Sequence, residues 1–441
     1  MKRALRLLSG SLVMCAAMPA FAQPADPAPT EPAPAAEPAP AAEPVVAPAP
    51  VAEPAPTAEP APAAPVASSA DEFDLASLGL DPNAPTADDK LQIYGFADFS
   101  YMAVRGTAPI APNTGTFGVG NLNIYLKKNV APRWHSLAEV RLLFSPNGDN
   151  SPATGGYMSS TSTDPANEER PIHWGGISIE RAYIEYEATS WLTIRGGHFL
   201  TPYGIWNIDH GSPVIIGVGR PYMIGEELFP QHQTGIELFG TRRAGDYTVE
   251  YHATVSNGRN PYEATRDPDR KLGIGGRLAV SAPWAGDLKL GISAYHGKAL
   301  EETGGSYTEL SLGADIAWDH GGFHAQGELL SQQRVYGAGE RSARAVGFEP
   351  DGQAWGGYAL AGYRFSTLWN VMPYAIYEHY VPYDPSVLGG RADAFTAGVN
   401  LRPTATVVLK AEFLRASLRG DYGLLAGHDL DLARVQCAWV F

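Results

Sequence analysis

The sequence predicts an all-β protein: a sixteen-stranded antiparallel transmembrane β-barrel with an inward-folded third extracellular loop, preceded by a disordered Pro/Ala-rich segment. Three observations predict this class. Apolar and polar residues alternate from Leu91 to Phe441, which is the pattern of strands with one apolar face. Beyond the first 22 residues, no apolar run approaches the roughly 18 residues of a membrane helix. Short and long connections alternate along the chain, as in outer-membrane barrels.

Residues 1–22 have the order of a secretory signal peptide. Three basic residues within the first six positions precede the apolar run LLSGSLVMCAAM, and the small-residue motif AFA precedes Gln23. This arrangement predicts export and cleavage before Gln23. Cleavage would remove Cys15 and leave Cys437 as the only cysteine, so we expect no intramolecular disulfide.

Residues 23–70 are a Pro/Ala/Glu-rich linker with 15 prolines between positions 23 and 65. Such a tract cannot bury a core, and we expect an extended chain rising about 3.1 Å per residue. Two interpretations stay open: a solvated spacer in the periplasm, or a tether that contacts the cell wall. Residues 71–90 form a short periplasmic bridge of unassigned structure, and residues 91–441 form the barrel.

The charge of the chain indicates no nucleic-acid partner. The net charge is −15, and 12 of the 47 acidic and 4 of the 32 basic residues lie in the first 90 positions. The barrel region therefore carries 35 acidic and 28 basic residues, a net charge of −7. This mildly acidic balance excludes a strongly basic nucleic-acid surface.

The alternation predicts sixteen strands, and an even number places both ends of the barrel at the rim of the short turns. We predict them near 91–104, 117–127, 134–144, 177–187, 192–198, 233–240, 246–257, 271–280, 288–296, 307–318, 323–331, 354–365, 371–380, 394–402, 407–415 and 432–441. Six of the nine tryptophans fall beside short turns, which favours an aromatic membrane-interface girdle. The inward face of strand 354–365 stays open, because both of its faces carry Tyr and Gly.

Residues 199–232 form the third long loop. Its aromatic residues, including Tyr203, Trp206 and Phe229, predict packing instead of disorder, and we expect the loop to fold into the barrel and narrow it. The candidate charged residues of this constriction are Asp209, His210, Arg220, Glu226 and Glu227. In the alternative interpretation, these charges form salt bridges that hold the loop to the wall.

The alternation also predicts which charged residues of the wall face inward. The candidate pore-lining residues are Arg141, Arg181, Glu185, Arg195, Glu237, Glu250, Lys271, Arg277, Lys289, Lys410 and Arg434. Further acidic residues oppose the basic ones, namely Glu139, Glu309, Asp315, Glu328, Glu378 and Glu412. Because both signs are present, we expect no single-sign field in the lumen.

Several stretches resemble the phosphate-selective porin O and P superfamily. They are RGGHFLTPYGIWN at 195–207, YHATVSNGRN at 251–260, TAGVNLRP at 396–403, VVLKAEF at 407–413 and VQCAWVF at 435–441. The resemblance implies a sixteen-stranded channel in the outer membrane of a Gram-negative bacterium, a homotrimer, and a third loop inside each pore. Phosphate selectivity in that family is associated with pore-lining Arg and Lys, which here are opposed by acids, so the resemblance does not imply phosphate.

The function we expect is passive diffusion of small hydrophilic solutes or ions through a water-filled pore in contact with outer-membrane lipid. The alternatives are a substrate-selective anion channel of the phosphate type, a plugged structural or tethering barrel, and an outer-membrane hydrolase. The sequence has no G-x-S-x-G or H-E-x-x-H motif, so an enzyme is disfavoured. His198, His210 and His232 share one segment, but we predict no metal site and no cofactor.

Overall fold

A computed structural model describes residues 90–107, 114–143, 176–207, 211–225, 227–260, 267, 270–301, 305–341, 350–383, 391–419 and 427–441. Within these residues, sixteen antiparallel strands close into one barrel, in which β1 pairs with β16. This confirms the predicted fold class. The predicted signal peptide, the linker and all but the last residue of the bridge lie outside the described residues.

The strands follow the chain in order around the barrel. They are β1 (Gln92–Gly106), β2 (Thr114–Ala131), β3 (Trp134–Leu143), β4 (Gly176–Thr189), β5 (Leu192–Leu200), β6 (His232–Ala244), β7 (Tyr247–Ser256), β8 (Gly273–Ala282), β9 (Leu288–Leu300), β10 (Ser306–His320), β11 (Phe323–Tyr336), β12 (Gly352–Tyr363), β13 (Met372–Val381), β14 (Arg391–Leu401), β15 (Val407–Arg419) and β16 (His428–Val440). A short helix, α1 (Tyr222–Gly225), lies between β5 and β6. Among the described residues, no helix is long and apolar enough to cross a membrane.

The faces of the strands are reversed relative to a soluble barrel. In β10, Leu310 and Leu312 are 41% and 51% exposed, whereas Glu309 and Ser311 are fully buried. Successive side chains of a strand point to opposite faces, so the apolar face lies outside and the polar face lines the interior. An outer surface of this kind is stable in hydrocarbon and unfavourable in water.

Exposed tryptophans mark the rim of the short turns. Trp134, Trp191, Trp284 and Trp369 are 40%, 45%, 68% and 64% exposed, and each lies in or beside a short turn. An amphipathic ring at one level of a barrel is typical of a membrane interface. The arrangement therefore agrees with the apolar outer face in indicating a membrane-spanning barrel.

A β-bulge in β4 interrupts the regular alternation. Glu139 pairs with Arg181 but Val140 pairs with Ile179, so Glu180 is the extra residue of β4. Because of this bulge, Glu180 and Arg181 are both buried although they are adjacent. Another register shift follows Ala97 of β1.

The inner face of β12, which the sequence left open, is apolar. Ala354, Tyr358 and Leu360 are buried, whereas Trp355 and Tyr363 are each 39% exposed on the outer face. The buried residues belong to a hydrophobic cluster that includes residues of the β5–β6 loop. The apolar inner face therefore provides a surface on which that loop packs.

Candidate functional site

The connection between β5 and β6, hereafter the third loop, lies inside the barrel. It makes hydrogen bonds to inward-facing side chains of β8, β9, β10, β11, β13, β14 and β15. A segment can contact the inner face of so many strands around the barrel only from the lumen. The described part of the loop thus lies in the interior.

The loop is closed at the point where it leaves the wall. Thr201 donates its backbone N–H to the carbonyl of Gln231 at 2.9 Å and its hydroxyl to the carbonyl of Pro230 at 2.5 Å. The Asn207 amide donates to the Thr201 hydroxyl at 2.8 Å. These bonds join the outgoing and returning chains at a neck at the base of the loop.

Basic and amide side chains of the wall donate to carbonyl groups of the loop. The Lys410 ammonium lies 2.6 Å from the carbonyl oxygen of Ser212 and 2.8 Å from that of Gly217. The Asn400 amide donates to Ile216 at 3.0 Å, and Arg402 Nη2 donates to Pro213 at 2.9 Å. Arg277 donates in the same way to the carbonyl of Gly204. All of these bonds use main-chain atoms of the loop.

Carboxylates of the wall accept the complementary bonds from backbone N–H groups of the loop. Glu328 accepts from Trp206 at 3.1 Å, Glu412 accepts from Val218 at 2.9 Å, and Glu378 accepts from Tyr222. The Ser311 hydroxyl donates to the carbonyl of Leu228 at 2.6 Å. Wall charges of both signs therefore hold the loop through its main chain.

Apolar packing fixes the same loop on the β9–β13 side. Trp206, Met223, Leu228 and Phe229 of the loop are at most 3% exposed. They share one cluster with inner residues of the wall, namely Tyr295, Leu330, Ala354, Tyr358, Leu360, Tyr374, Ile376 and Tyr380. Burial of such side chains contributes about 1.5–3 kcal/mol each. The loop is therefore packed against this side of the wall.

A chain of alternating charges runs along the wall from β4 to β9. Arg195 pairs with Glu185 and with Glu237, each at 2.6 Å. Glu237 also accepts from His252 at 2.7 Å, and Lys289 pairs with Glu250 at 2.8 Å. The Arg195 guanidinium lies between two rings, 4.4 Å from the centre of Tyr183 and 4.6 Å from that of Phe239. Each basic group in this chain thus has an acidic neighbour, as expected for charges removed from water.

Three further ion pairs are buried in the wall. Arg181 Nε lies 2.6 Å from Glu139, which also accepts from Asn123 at 2.5 Å. Arg277 pairs with Asp315 at 2.7 Å. Arg434 pairs with Glu412.

A loop-neck cluster of charged residues surrounds the base of the third loop. It consists of Arg141, Glu180, Arg220, Glu227, His232 and Arg259. Glu180 pairs with Arg141 at 3.2 Å and with His232 at 2.9 Å, and Arg259 pairs with Glu227 at 3.6 Å and with Glu309 at 3.2 Å.

Arg220 belongs to this cluster because it interacts electrostatically with other members. Its charged neighbours are Glu227, Arg141 and Glu180. His198 stacks on His232, with ring centres 5.4 Å apart. Within the described part of the chain, no group of three or more His, Cys, Asp or Glu is arranged to hold a metal ion.

The structure places most of the predicted wall residues on the inner face, but it buries several of them instead of exposing them to the pore. Arg181, Arg195, Arg277, Lys410 and Arg434 are each at most 7% exposed, since they are engaged by carboxylates or by the loop. Arg141, Glu185, Glu237, Glu250 and Lys289 also take part in inward ion pairs.

The predicted strand 271–280 starts two residues too early, so Lys271 lies outside the paired strands of the wall. This lysine is exposed and lies two residues before β8, which begins at Gly273 where pairing with Ser256 starts. Of the predicted constriction residues, Arg220 and Glu227 belong to the loop-neck cluster. Asp209, His210 and Glu226 lie outside the described residues.

Sequence reasoning missed several residues of the site. Strict alternation turns Glu180 outward whenever Arg181 points inward, and only the bulge in β4 brings both to the lumen. Arg259 follows the end of β7, where alternation assigns no face. Asn400 lies in a predicted strand, but alternation alone assigns no role to its amide. No signal in the sequence identifies the loop carbonyl that it binds.

Comparison with known proteins supports the fold but assigns the chain to no family. No protein-family model matches the sequence. An uncharacterized protein of Aquifex aeolicus is 24% identical over 304 residues, which are 60% of this chain and 66%, slightly less than two thirds, of that protein.

Two solved structures share the architecture. An outer membrane protein of Vibrio cholerae, OmpT in its trimer form, has a TM-score of 0.51 and 11% identity, over 80% of this chain and 99% of that one. OmpF of Salmonella typhi, in complex with daunomycin, has a TM-score of 0.50 and 13% identity, over 80% and 98% of the two chains. At such identity the likeness is one of fold, and it agrees with the sixteen-stranded barrel described above.

Proposed function

We propose that the protein is an outer-membrane porin that allows passive diffusion of small hydrophilic solutes or ions. The observation that carries this proposal is the third loop, which crosses a charged barrel interior and is held there by wall residues such as Lys410 and Glu412. A barrel that is apolar outside and charged inside, with a fixed internal loop, can pass polar solutes and reject large ones. Its action requires no catalysis and no cofactor.

Several finer features belong to the same proposal. We place the N-terminal linker in the periplasm, because an even number of strands puts both ends of the barrel at the rim of the short turns, which is the periplasmic rim of bacterial outer-membrane barrels. The protein assembles as a homotrimer, which the trimer form of the Vibrio cholerae neighbour supports. Membership of the phosphate-selective porin O and P superfamily rests on the resemblance in the sequence stretches named above.

A phosphate-type anion channel is the second candidate. Arg141 and Arg259 lie near the neck of the third loop and Arg220 lies within the loop, which favours anions, but Glu180 pairs with Arg141, and Glu227 and Glu309 pair with Arg259. A bidentate guanidinium binds phosphate best when no carboxylate occupies it. The mixed cluster therefore supports a general porin more than a phosphate channel.

Single-channel recording in planar bilayers tests the proposal. The full-length protein is refolded and recorded in a KCl gradient, with the reversal potential measured before and after addition of inorganic phosphate. Large current steps with weak ion preference are expected. Small anion-selective steps that phosphate blocks would favour the second candidate, and a folded barrel without steps would overturn the porin proposal in favour of a plugged structural barrel.

A further inference from the structure

Charged groups inside the barrel fall into two classes according to what covers them. On β10 to β16, the charges that meet the loop are sealed: the side chains of Glu412 and Arg434 are 1% and 8% exposed, and Lys410 and Glu378 are 1% and 6% exposed. Three of these four groups bind main-chain atoms of the third loop. Their charges are therefore separated from the solution by the loop itself.

The loop-neck cluster, apart from the buried Glu180, keeps contact with solution. The side chains of Arg141, Glu227, His232 and Arg259 are 29%, 32%, 23% and 19% exposed. They lie on β3, β6, the third loop and the segment after β7, on the side of the lumen away from the sealed charges. An off-centre passage between the loop and this side of the wall would have these groups along its edge.

We propose that the loop-neck cluster sets the charge selectivity of the pore and that the sealed charges bound to the loop do not. This inference rests on the porin function proposed above. A charge at the edge of a water-filled passage acts on an ion a few ångströms away, whereas a charge paired and covered by main-chain dipoles is largely compensated. The sealed charges position the loop, and the exposed ones meet the solute.

The balance of positive and negative charges in the loop-neck cluster predicts the ion selectivity of the pore. It contains Arg141, Arg220 and Arg259 against Glu180 and Glu227, and the buried Glu309 of β10 also pairs with Arg259. Because Glu180 pairs with Arg141, and Glu227 and Glu309 pair with Arg259, the wild-type pore should discriminate weakly. Removal of one exposed charge should shift the permeability of the pore toward ions of the same sign as the charge removed.

The matched variants are Glu227→Gln and Glu378→Gln. They make the same chemical change in an exposed residue of the loop-neck cluster and in a sealed residue of the wall. In Glu378→Gln, the new amide oxygen can still accept the N–H of Tyr222, so the control is expected to retain the loop. Arg141→Gln supplies the opposite sign. Each variant is first checked for a folded barrel by its resistance to SDS before heating.

The reversal potential is then measured in a KCl gradient at about 0.1 M salt, where the screening length is about 10 Å. Glu227→Gln should raise the chloride-to-potassium permeability ratio by about two- to three-fold, and Arg141→Gln should lower it to a similar extent. Glu378→Gln should leave it unchanged. An equal shift in Glu378→Gln, or none in the other two variants of a conducting protein, would overturn the inference; a wild-type barrel that does not conduct would overturn the porin proposal as well.

Discussion

The ammonium nitrogen of Lys410 lies 2.6 Å from the carbonyl oxygen of Ser212, in the middle of the third loop. Lys410 is only 1% exposed, and a buried ammonium group requires hydrogen-bond acceptors. Here the loop provides them from its main chain, since Gly217 accepts a second bond at 2.8 Å. One wall residue therefore fixes two points of the loop, whatever side chains the loop carries.

Replacement of Lys410 by Met should loosen the loop without unfolding the barrel. Two buried carbonyl groups would lose their donor, at a cost of about 1–3 kcal/mol each at most. We expect more frequent brief closures and greater open-channel noise in single-channel traces. Lys289→Met is the control, because it removes the same charge from a residue that pairs with Glu250 on the wall. Identical noise in the two variants would contradict the assignment.

Gly204 should tolerate no side chain. Its φ of +74° lies in the left-handed region, and a Cβ there would meet the carboxylate of Glu328. Gly204→Ala should therefore cost about 1–2 kcal/mol in backbone strain alone and displace the acceptor of the Trp206 N–H. Thermal unfolding in detergent measures the loss.

The matched control for this substitution is Gly196→Ala in β5. No atom lies within 4 Å of a Cβ built on Gly196, so this alanine should leave the unfolding temperature nearly unchanged. Equal effects of the two alanines would show that Gly204 is not constrained as described.

The buried pair of Arg181 and Glu139 should be strongly coupled. Arg181→Met would leave the fully buried Glu139 carboxylate without its cation, which typically costs about 3–5 kcal/mol. The double variant Arg181→Met with Glu139→Gln should recover part of this loss, because no uncompensated charge remains. Urea unfolding of the two single variants and the double variant gives the coupling energy, and strictly additive losses would argue against the pair.

Phe229 should anchor the returning half of the third loop. It is 3% exposed, and its ring centre lies 4.9 Å from that of Tyr203. Phe229→Ala should lower the free energy of unfolding by about 3–5 kcal/mol if the loop and barrel unfold together. Phe395→Ala on the outer face, where the ring is 53% exposed, should cost less. Protease cleavage of the loop in Phe229→Ala, without loss of the barrel, would instead show that the loop detaches alone.

Much of the barrel could be predicted from local pattern. The alternation in strands such as β10, where Leu310 and Leu312 face outward between Glu309 and Ser311, identifies a strand and its two faces from a few consecutive residues. The number of strands and the order of short and long connections follow by repetition. The aromatic and apolar content of the third loop likewise predicts that it packs.

The sequence by itself therefore determined the strands, their faces and the presence of an internal loop, because these depend on residues close together in the chain. Tertiary structure decided which charges are sealed and which remain exposed. The bulge that turns Glu180 inward, and the approach of Lys410 to Ser212, depend on register and barrel closure between segments far apart in sequence. Alternation assigns a side chain to a face, but the partner it meets there is set by the three-dimensional path of the loop.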